Sequence, residues 1–175
     1  YVEELTINRA LPSTILITVT ECEAAAQVAV PDPAQAATVQ EELAGGDPDA
    51  KPVTLSQEPW LISVRGKLLE PAPPDSTASP VTGLTPISPQ AGSRIQVPES
   101  ERTRLTALTS LLQAVQEAEL GGDISSVRLE ATRLSVRYAG RFDVEIRLNA
   151  DFPYSLRLMQ AVREKIEDQH GPGAA

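Results

Sequence analysis

The stretch Arg133-Leu134-Ser135-Val136-Arg137-Tyr138-Ala139-Gly140-Arg141-Phe142-Asp143-Val144-Glu145-Ile146-Arg147-Leu148 decides the fold. Apolar and polar residues alternate on both sides of Ala139-Gly140, a period of two that suits a pleated strand buried on one face. A two-residue turn at Ala139-Gly140 joins the two halves. Residues 126–130 precede them as another strand, so the region reads as an antiparallel meander. Asp151 follows as a helix N-cap, with Pro153 in the first turn. The apolar face of that helix is Leu156, Met159, Val162 and Ile166, and His170-Gly171-Pro172-Gly173 ends it.

Upstream, Leu105, Leu108, Leu112, Val115 and Glu119 repeat at three and four residues. This predicts a helix that starts near residues 98–101, with acidic residues at its positive end, and stops at Gly121-Gly122. At the other end of the chain Val2, Leu5 and Ile7 alternate with Glu4, Thr6 and Asn8. Ile15, Ile17 and Val19 do the same with Leu16, Thr18 and Thr20. Ala10-Leu11-Pro12-Ser13 between the runs supplies a turn, so the pair reads as a hairpin, with residues 24–30 as a third strand. Residues 31–59 lose all period and read as a long surface insertion holding one helical turn at 36–43. Strands resume at 60–64 and 67–70 around an Arg65-Gly66 turn, and 71–80 is a connection. Strands, helix, strands, helix predicts an α+β fold: a bent, largely antiparallel sheet with two packed helices.

Composition narrows the function. Of the 175 residues 41% are hydrophobic but only 3% aromatic, so Leu, Val and Ile carry the packing. Fifteen prolines and ten glycines fit a turn-rich chain. The formal charge of −9 repels nucleic-acid phosphates and anionic lipid, so neither is an expected partner. Arg128, Arg133, Arg137, Arg141 and Arg147 cluster, but Glu130, Asp143 and Glu145 are interleaved with them, as on a solvated sheet face. No run of about 18 apolar residues and no signal peptide occurs. The chain is therefore expected to be soluble, with any anchor lying outside it.

Catalytic chemistry finds little footing. The one cysteine, Cys22, ends an apolar run and reads as a buried, inert thiol without a metal partner. The one histidine, His170, lies in a Gly/Pro tail where nothing orients it as a base. Gly45-Gly46 and Gly121-Gly122 are flanked by acid, which repels phosphate. Glu41, Glu42, Asp47 and Asp49 fall in the insertion, and Glu99 and Glu101 fall at a helix start, where solvation and capping explain them. Trp60 and Phe142 read as core residues before interface anchors. No catalytic residue, cofactor or metal is expected. An unpaired sheet edge then offers the means of action: a partner strand adds to it through main-chain bonds.

Four stretches, taken in order, resemble the extracytoplasmic part of the bacterial cell-division family FtsQ/DivIB. Residues 1–21, with Ala10-Leu11-Pro12-Ser13 between two strands and Glu21 closing the second, resemble the final hairpin of that family's POTRA domain. Trp60-Leu61-Ile62 with Gly66-Lys67-Leu68-Leu69 resembles the opening hairpin of its β-domain. Pro80-Val81-Thr82-Gly83-Leu84, then Gly92, resembles the loop before the long helix. Residues 141–148 with Leu156-Arg157-Leu158-Met159 are similar to its late strand and closing helix. The departures are Cys22 and Ala24 where the family has arginine and then proline, Ser155 where it often has lysine, and a longer insertion. The family also continues past its last helix with another strand, on which the FtsB-type partner adds, so those contacts have no counterpart to carry over.

The resemblance implies a non-catalytic scaffold of the division septum: a single-pass membrane protein whose outer part binds FtsL-type and FtsB/DivIC-type partners and regulates septal peptidoglycan synthesis. Residues 1–30 would be the end of a POTRA domain, 31–59 an insertion and 60–175 the β-domain, the whole being a fragment of a longer protein. The strand at 142–148 would be the open edge, with Arg141, Asp143, Val144, Glu145 and Arg147 at the partner-binding surface. A POTRA-type secretion or outer-membrane assembly module is the alternative, and a hydrolase with paired carboxylates a second one.

Overall fold

A computed structural model describes residues 2–10, 14–31, 57–87 and 89–171. Strands β1 (Val2–Ala10) and β2 (Thr14–Glu21) pair antiparallel as a separate ribbon, in the expected hairpin register with Leu5 opposite Val19 and Ile7 opposite Ile17. The other strands are β3 (Ala26–Pro31), β4 (Gln57–Ile62), β5 (Leu68–Pro71), β6 (Ser79–Thr82), β7 (Ile124–Leu129), β8 (Arg133–Tyr138) and β9 (Phe142–Arg147). They form one sheet in the order β5-β4-β3-β6-β7-β8-β9. β6 pairs parallel with both β3 and β7, and every other joint is antiparallel. Helices α1 (Arg102–Glu117) and α2 (Phe152–His170) complete an α+β fold of the expected class.

Period-two burial explains the sheet. Ala26, Val28 and Val30 of β3 are buried while Gln27 and Ala29 are not, and Leu134, Val136 and Tyr138 of β8 repeat the pattern. These inward residues share one core with Leu108 and Leu111 of α1 and with Phe152, Leu156 and Met159 of α2. Full burial of one leucine such as Leu108 contributes about 1.5–3 kcal/mol, so the aliphatic core stands without many aromatics. Both helices pack on this one core, and among the described residues no helix lies on the opposite face of the sheet. Here the expectation for residues 1–30 needs correction: Ala26–Pro31 pairs with β4 and β6 inside the large sheet, not with the ribbon. Burial of three alternate side chains on the helical core decides this, and the two sheets part between Glu21 and Ala26. The turn at 11–13 and the helical turn at 36–43 lie outside the described residues.

Helix ends show both agreement and correction. Asp151 caps α2 as expected, its carboxylate accepting the Tyr154 N–H at 2.9 Å, and Gly171 at φ 87° stops it. α1 ends earlier than Gly121-Gly122. Glu119 takes a left-handed φ of 55°, and the Leu120 N–H bonds back to the Val115 carbonyl at 3.0 Å while its side chain enters the core. That is the helix-stop geometry usually given to glycine. Glu101 occupies the N-cap position of α1, but its side chain makes no capping bond. It is nearly buried, and its carboxylate accepts from the Thr85 N–H (2.7 Å) and hydroxyl (3.0 Å) while pairing with Arg104 (3.4 Å). Arg104 in turn donates to the Gly83 carbonyl at 2.7 Å. Gly83 must be glycine: at φ +92° a Cβ would lie 2.0 Å from the Leu129 carbonyl oxygen.

Candidate functional site

The two ends of the large sheet are treated differently. Beside β5 runs the segment around Ser93: the Leu68 N–H donates to the Ser93 carbonyl at 2.8 Å, and the Gly92 N–H donates to the Leu68 carbonyl at 2.7 Å. A covered edge cannot template another strand. At the opposite end β9 pairs with β8 from Tyr138↔Phe142 to Arg133↔Arg147. Its outer margin presents the main-chain groups of Asp143, Glu145 and Arg147, and among the described residues the one main-chain bond made there runs from the Ala150 N–H to the Arg147 carbonyl at 3.1 Å. β9 is the sheet's open edge, as the sequence reading expected.

The two faces of β9 differ in chemistry. Asp143, Glu145 and Arg147 project to the solvent face, where Arg137 bonds Asp143 at 2.6 Å and Arg133 bonds Glu145 at 3.0 Å. Arg133 also holds Glu130 at 2.8 Å. Such exposed pairs stabilise little, each about 0–1 kcal/mol. Phe142, Val144 and Ile146 turn the other way, toward α2, and border a groove of about 750 Å³ between strand and helix. Leu158 and Val162 form its far wall at 51% and 48% exposure, with Ile166 beyond them. An aliphatic wall beside an open strand edge is a combination that monomeric surfaces rarely leave uncovered.

A charged cluster closes one end of the groove. Arg163 donates to the Tyr138 hydroxyl at 3.2 Å and to Glu167 at 3.1 Å, lies over the Tyr138 ring at 5.4 Å, and pairs with Asp123 at 3.6 Å. Arg141 bonds Glu167 as well and sits 4.9 Å over the Phe142 ring. The Arg163 hydrogen bond, opposed by partial burial and helped by the charge of Arg141, holds the Glu167 carboxyl below the usual carboxylate range. The cluster ties α2 to the β8–β9 turn, where Ala139 and Gly140 take φ of 50° and 69° and the Arg141 N–H bonds the Tyr138 carbonyl at 3.1 Å. These positive angles suit the hairpin turn expected there, but Tyr138 pairs with Phe142, so the connection holds three residues where two were expected.

No family model, curated protein or solved structure matches this chain.

Of the residues expected at a partner surface, Asp143, Glu145 and Arg147 share the solvent face of the edge, Val144 faces the groove, and Arg141 sits in the turn at the groove's end. The groove wall on α2 differs from the sequence expectation, which places Val162 and Ile166 on one apolar face with Leu156 and Met159. The core takes Phe152, Leu156 and Met159, while Leu158, Val162 and Ile166, four residues apart, form a second stripe. Leu156 and Leu158 carry the signal, because residues two apart on a helix cannot face the same way.

Elsewhere the sequence candidates resolve individually. The Cys22 thiol donates to Glu3 at 2.9 Å; burial pushes the thiol up, and the Glu3 hydrogen bond and charge push it further, so it stays protonated. Burial also opposes ionisation of Glu3, yet the bonds from Cys22 and Ser63 and the charges of Lys67 and Arg65 prevail and hold it below the usual range. His170 is exposed at the end of α2. Glu99 is exposed and pairs with Arg102 at 3.2 Å, while Glu41, Glu42, Asp47 and Asp49 lie outside the described residues. Among the described residues the two carboxyls with a displaced affinity, Glu3 and Glu167, move downward, opposite to the shift a carboxyl general acid needs. Trp60 is a core residue whose indole N–H is buried without a partner, and Phe142 is half-buried against Tyr138. Among the described residues no group of His, Cys, Asp and Glu is placed to hold a metal, and no helix is long and apolar enough to cross a membrane.

Proposed function

We propose that this chain is a non-catalytic scaffold of the bacterial division septum. On this reading it is the extracytoplasmic part of an FtsQ/DivIB-like protein, held at the membrane by an N-terminal anchor. It binds FtsL-type and FtsB/DivIC-type partners and so regulates septal peptidoglycan synthesis. The observation that carries the reading is the uncovered edge β9 standing beside the aliphatic groove of α2. A strand that adds there gains main-chain bonds along β9 and buries alternate side chains against Leu158 and Val162, which is how extended peptides are recognised without any pocket for chemistry. The motifs behind the resemblance fall on coherent elements: Trp60 to Leu69 on the β4–β5 hairpin, Gly83 at the close approach to β7, and the late strand and closing helix as β9 and α2.

Titration with an FtsB/DivIC-type peptide tests the proposal. Glu145→Pro removes an outward-facing donor in the middle of β9, where the N–H has no bond to β8, and is expected to abolish binding while circular dichroism stays that of the folded protein. Unchanged affinity in the folded variant would sink the assignment of β9 as the partner edge.

A further inference from the structure

The charge order on the solvent face of the sheet specifies what kind of strand β9 accepts. β8 presents Arg133 and Arg137 there, and β9 answers with Asp143 and Glu145, bonded to them at 2.6 Å (Arg137–Asp143) and 3.0 Å (Arg133–Glu145). Sign therefore changes from the basic β8 to β9, and the face ends on an acidic strand. Each carboxylate has two oxygens with several acceptor sites, more than one arginine uses, and both side chains remain exposed. Beyond them a cation is attracted and an anion repelled. Arg147 differs: it stands directly opposite Arg133, a like-charge pair that an acidic neighbour on the outer side relieves. The groove face asks for something else. There Phe142, Val144 and Ile146 lie beside Leu158 and Val162, so the intervening side chains of an incoming strand meet apolar surroundings.

Resting on the reading of β9 as a partner edge, we infer that its partner is an extended segment of defined pattern. Aliphatic residues stand at alternate positions, lysine or arginine between them opposite Asp143 and Glu145, and aspartate or glutamate opposite Arg147. A second copy of this chain fits poorly. Antiparallel two-fold pairing centred on Val144 sets Asp143 against Glu145 and Arg141 against Arg147; pairing centred on Glu145 sets that carboxylate against itself, although it also places Asp143 opposite Arg147. The formal charge of −9 adds a general attraction for a basic segment and speeds its arrival.

Two short synthetic peptides test this, both with isoleucine or valine at alternate positions. One has lysine and the other glutamate at the two places that face Asp143 and Glu145. In low salt the lysine peptide is expected to bind about tenfold more tightly, and the gap to close as ionic strength approaches about 1 M. The double variant Asp143→Lys with Glu145→Lys reverses the preference. Should it fail to fold, the milder Asp143→Asn must remove part of the lysine peptide's advantage. Equal affinity of the two peptides for the unaltered protein overturns the inference and leaves the edge reading standing. Binding of neither overturns both. A dimer that Glu145→Pro dissolves gives the edge to a second copy and overturns the inference.

Discussion

At the scale of single residues, Glu3 receives the Cys22 thiol at the end of the ribbon and helps to join the ribbon to the body of the fold. Glu3 is only 10% exposed and lies 3.6 Å from Arg65, while Lys67 reaches the Val2 carbonyl at 2.6 Å. Because the folded Glu3 carboxyl titrates below its ordinary value of 4.5, its contribution is complete above that pH and is lost as the pH falls through the folded value. Acidification should therefore loosen the ribbon. Above neutrality the same carboxylate suppresses the Cys22 thiolate. Glu3→Gln should speed alkylation of Cys22 by iodoacetamide at about pH 8 by roughly three- to tenfold, because thiolate fraction sets the rate. An unchanged rate would show that Glu3 does not control the thiol. None of this was legible in Cys22 alone, which read as an inert buried residue; a partner 19 residues away decides its state. Glu101 gives the same lesson, since its position at a helix start suggested capping and the fold used it to hold Thr85.

At the scale of elements, α1 carries a correctable local strain. Glu119 occupies the left-handed position of the helix stop, where a Cβ crowds the backbone. Glu119→Gly should stabilise the protein by about 0.5–1 kcal/mol, less any entropy lost from the unfolded chain. Denaturant midpoints read by the fluorescence of Trp60, the one tryptophan, would check it. A lower midpoint would mean that the Glu119 side chain does more than its geometry shows. The last helix was legible to the residue at its start, since an aspartate cap and a proline in the first turn act within one turn. Its second apolar stripe was not, because Leu158, Val162 and Ile166 differ from core residues only in which neighbours surround them.

At the scale of the whole molecule, β1 and β2 stand out because their apolar side chains are exposed among the described residues. Leu5, Ile7, Ile15, Ile17 and Val19 share one face of the ribbon by register and alternation, and Ile7 and Ile15 are 63% and 65% exposed. An isolated two-stranded hairpin is at best marginal in water, and an aliphatic face of this kind drives association. Paired replacement Ile7→Thr and Ile17→Thr should reduce concentration-dependent association in sedimentation velocity while the thermal midpoint stays within a few degrees, the side chains being outside the core. A large fall in that midpoint would show that the ribbon supports the main sheet.

The sequence by itself determined the local elements: strand and helix periods, the Asp151 cap, the Ala139-Gly140 turn, and so the α+β class. Each of these is set by steric and hydrogen-bonding chemistry within a few residues, wherever the segment ends up. Only the tertiary structure decided that Ala26–Pro31 joins the large sheet, that β6 lies parallel between β3 and β7, and that the segment near Ser93 covers β5 while β9 stays open. Any strand with one apolar face satisfies its pattern beside several neighbours. The choice among them rests on burial summed over distant parts of the chain, which no short window contains.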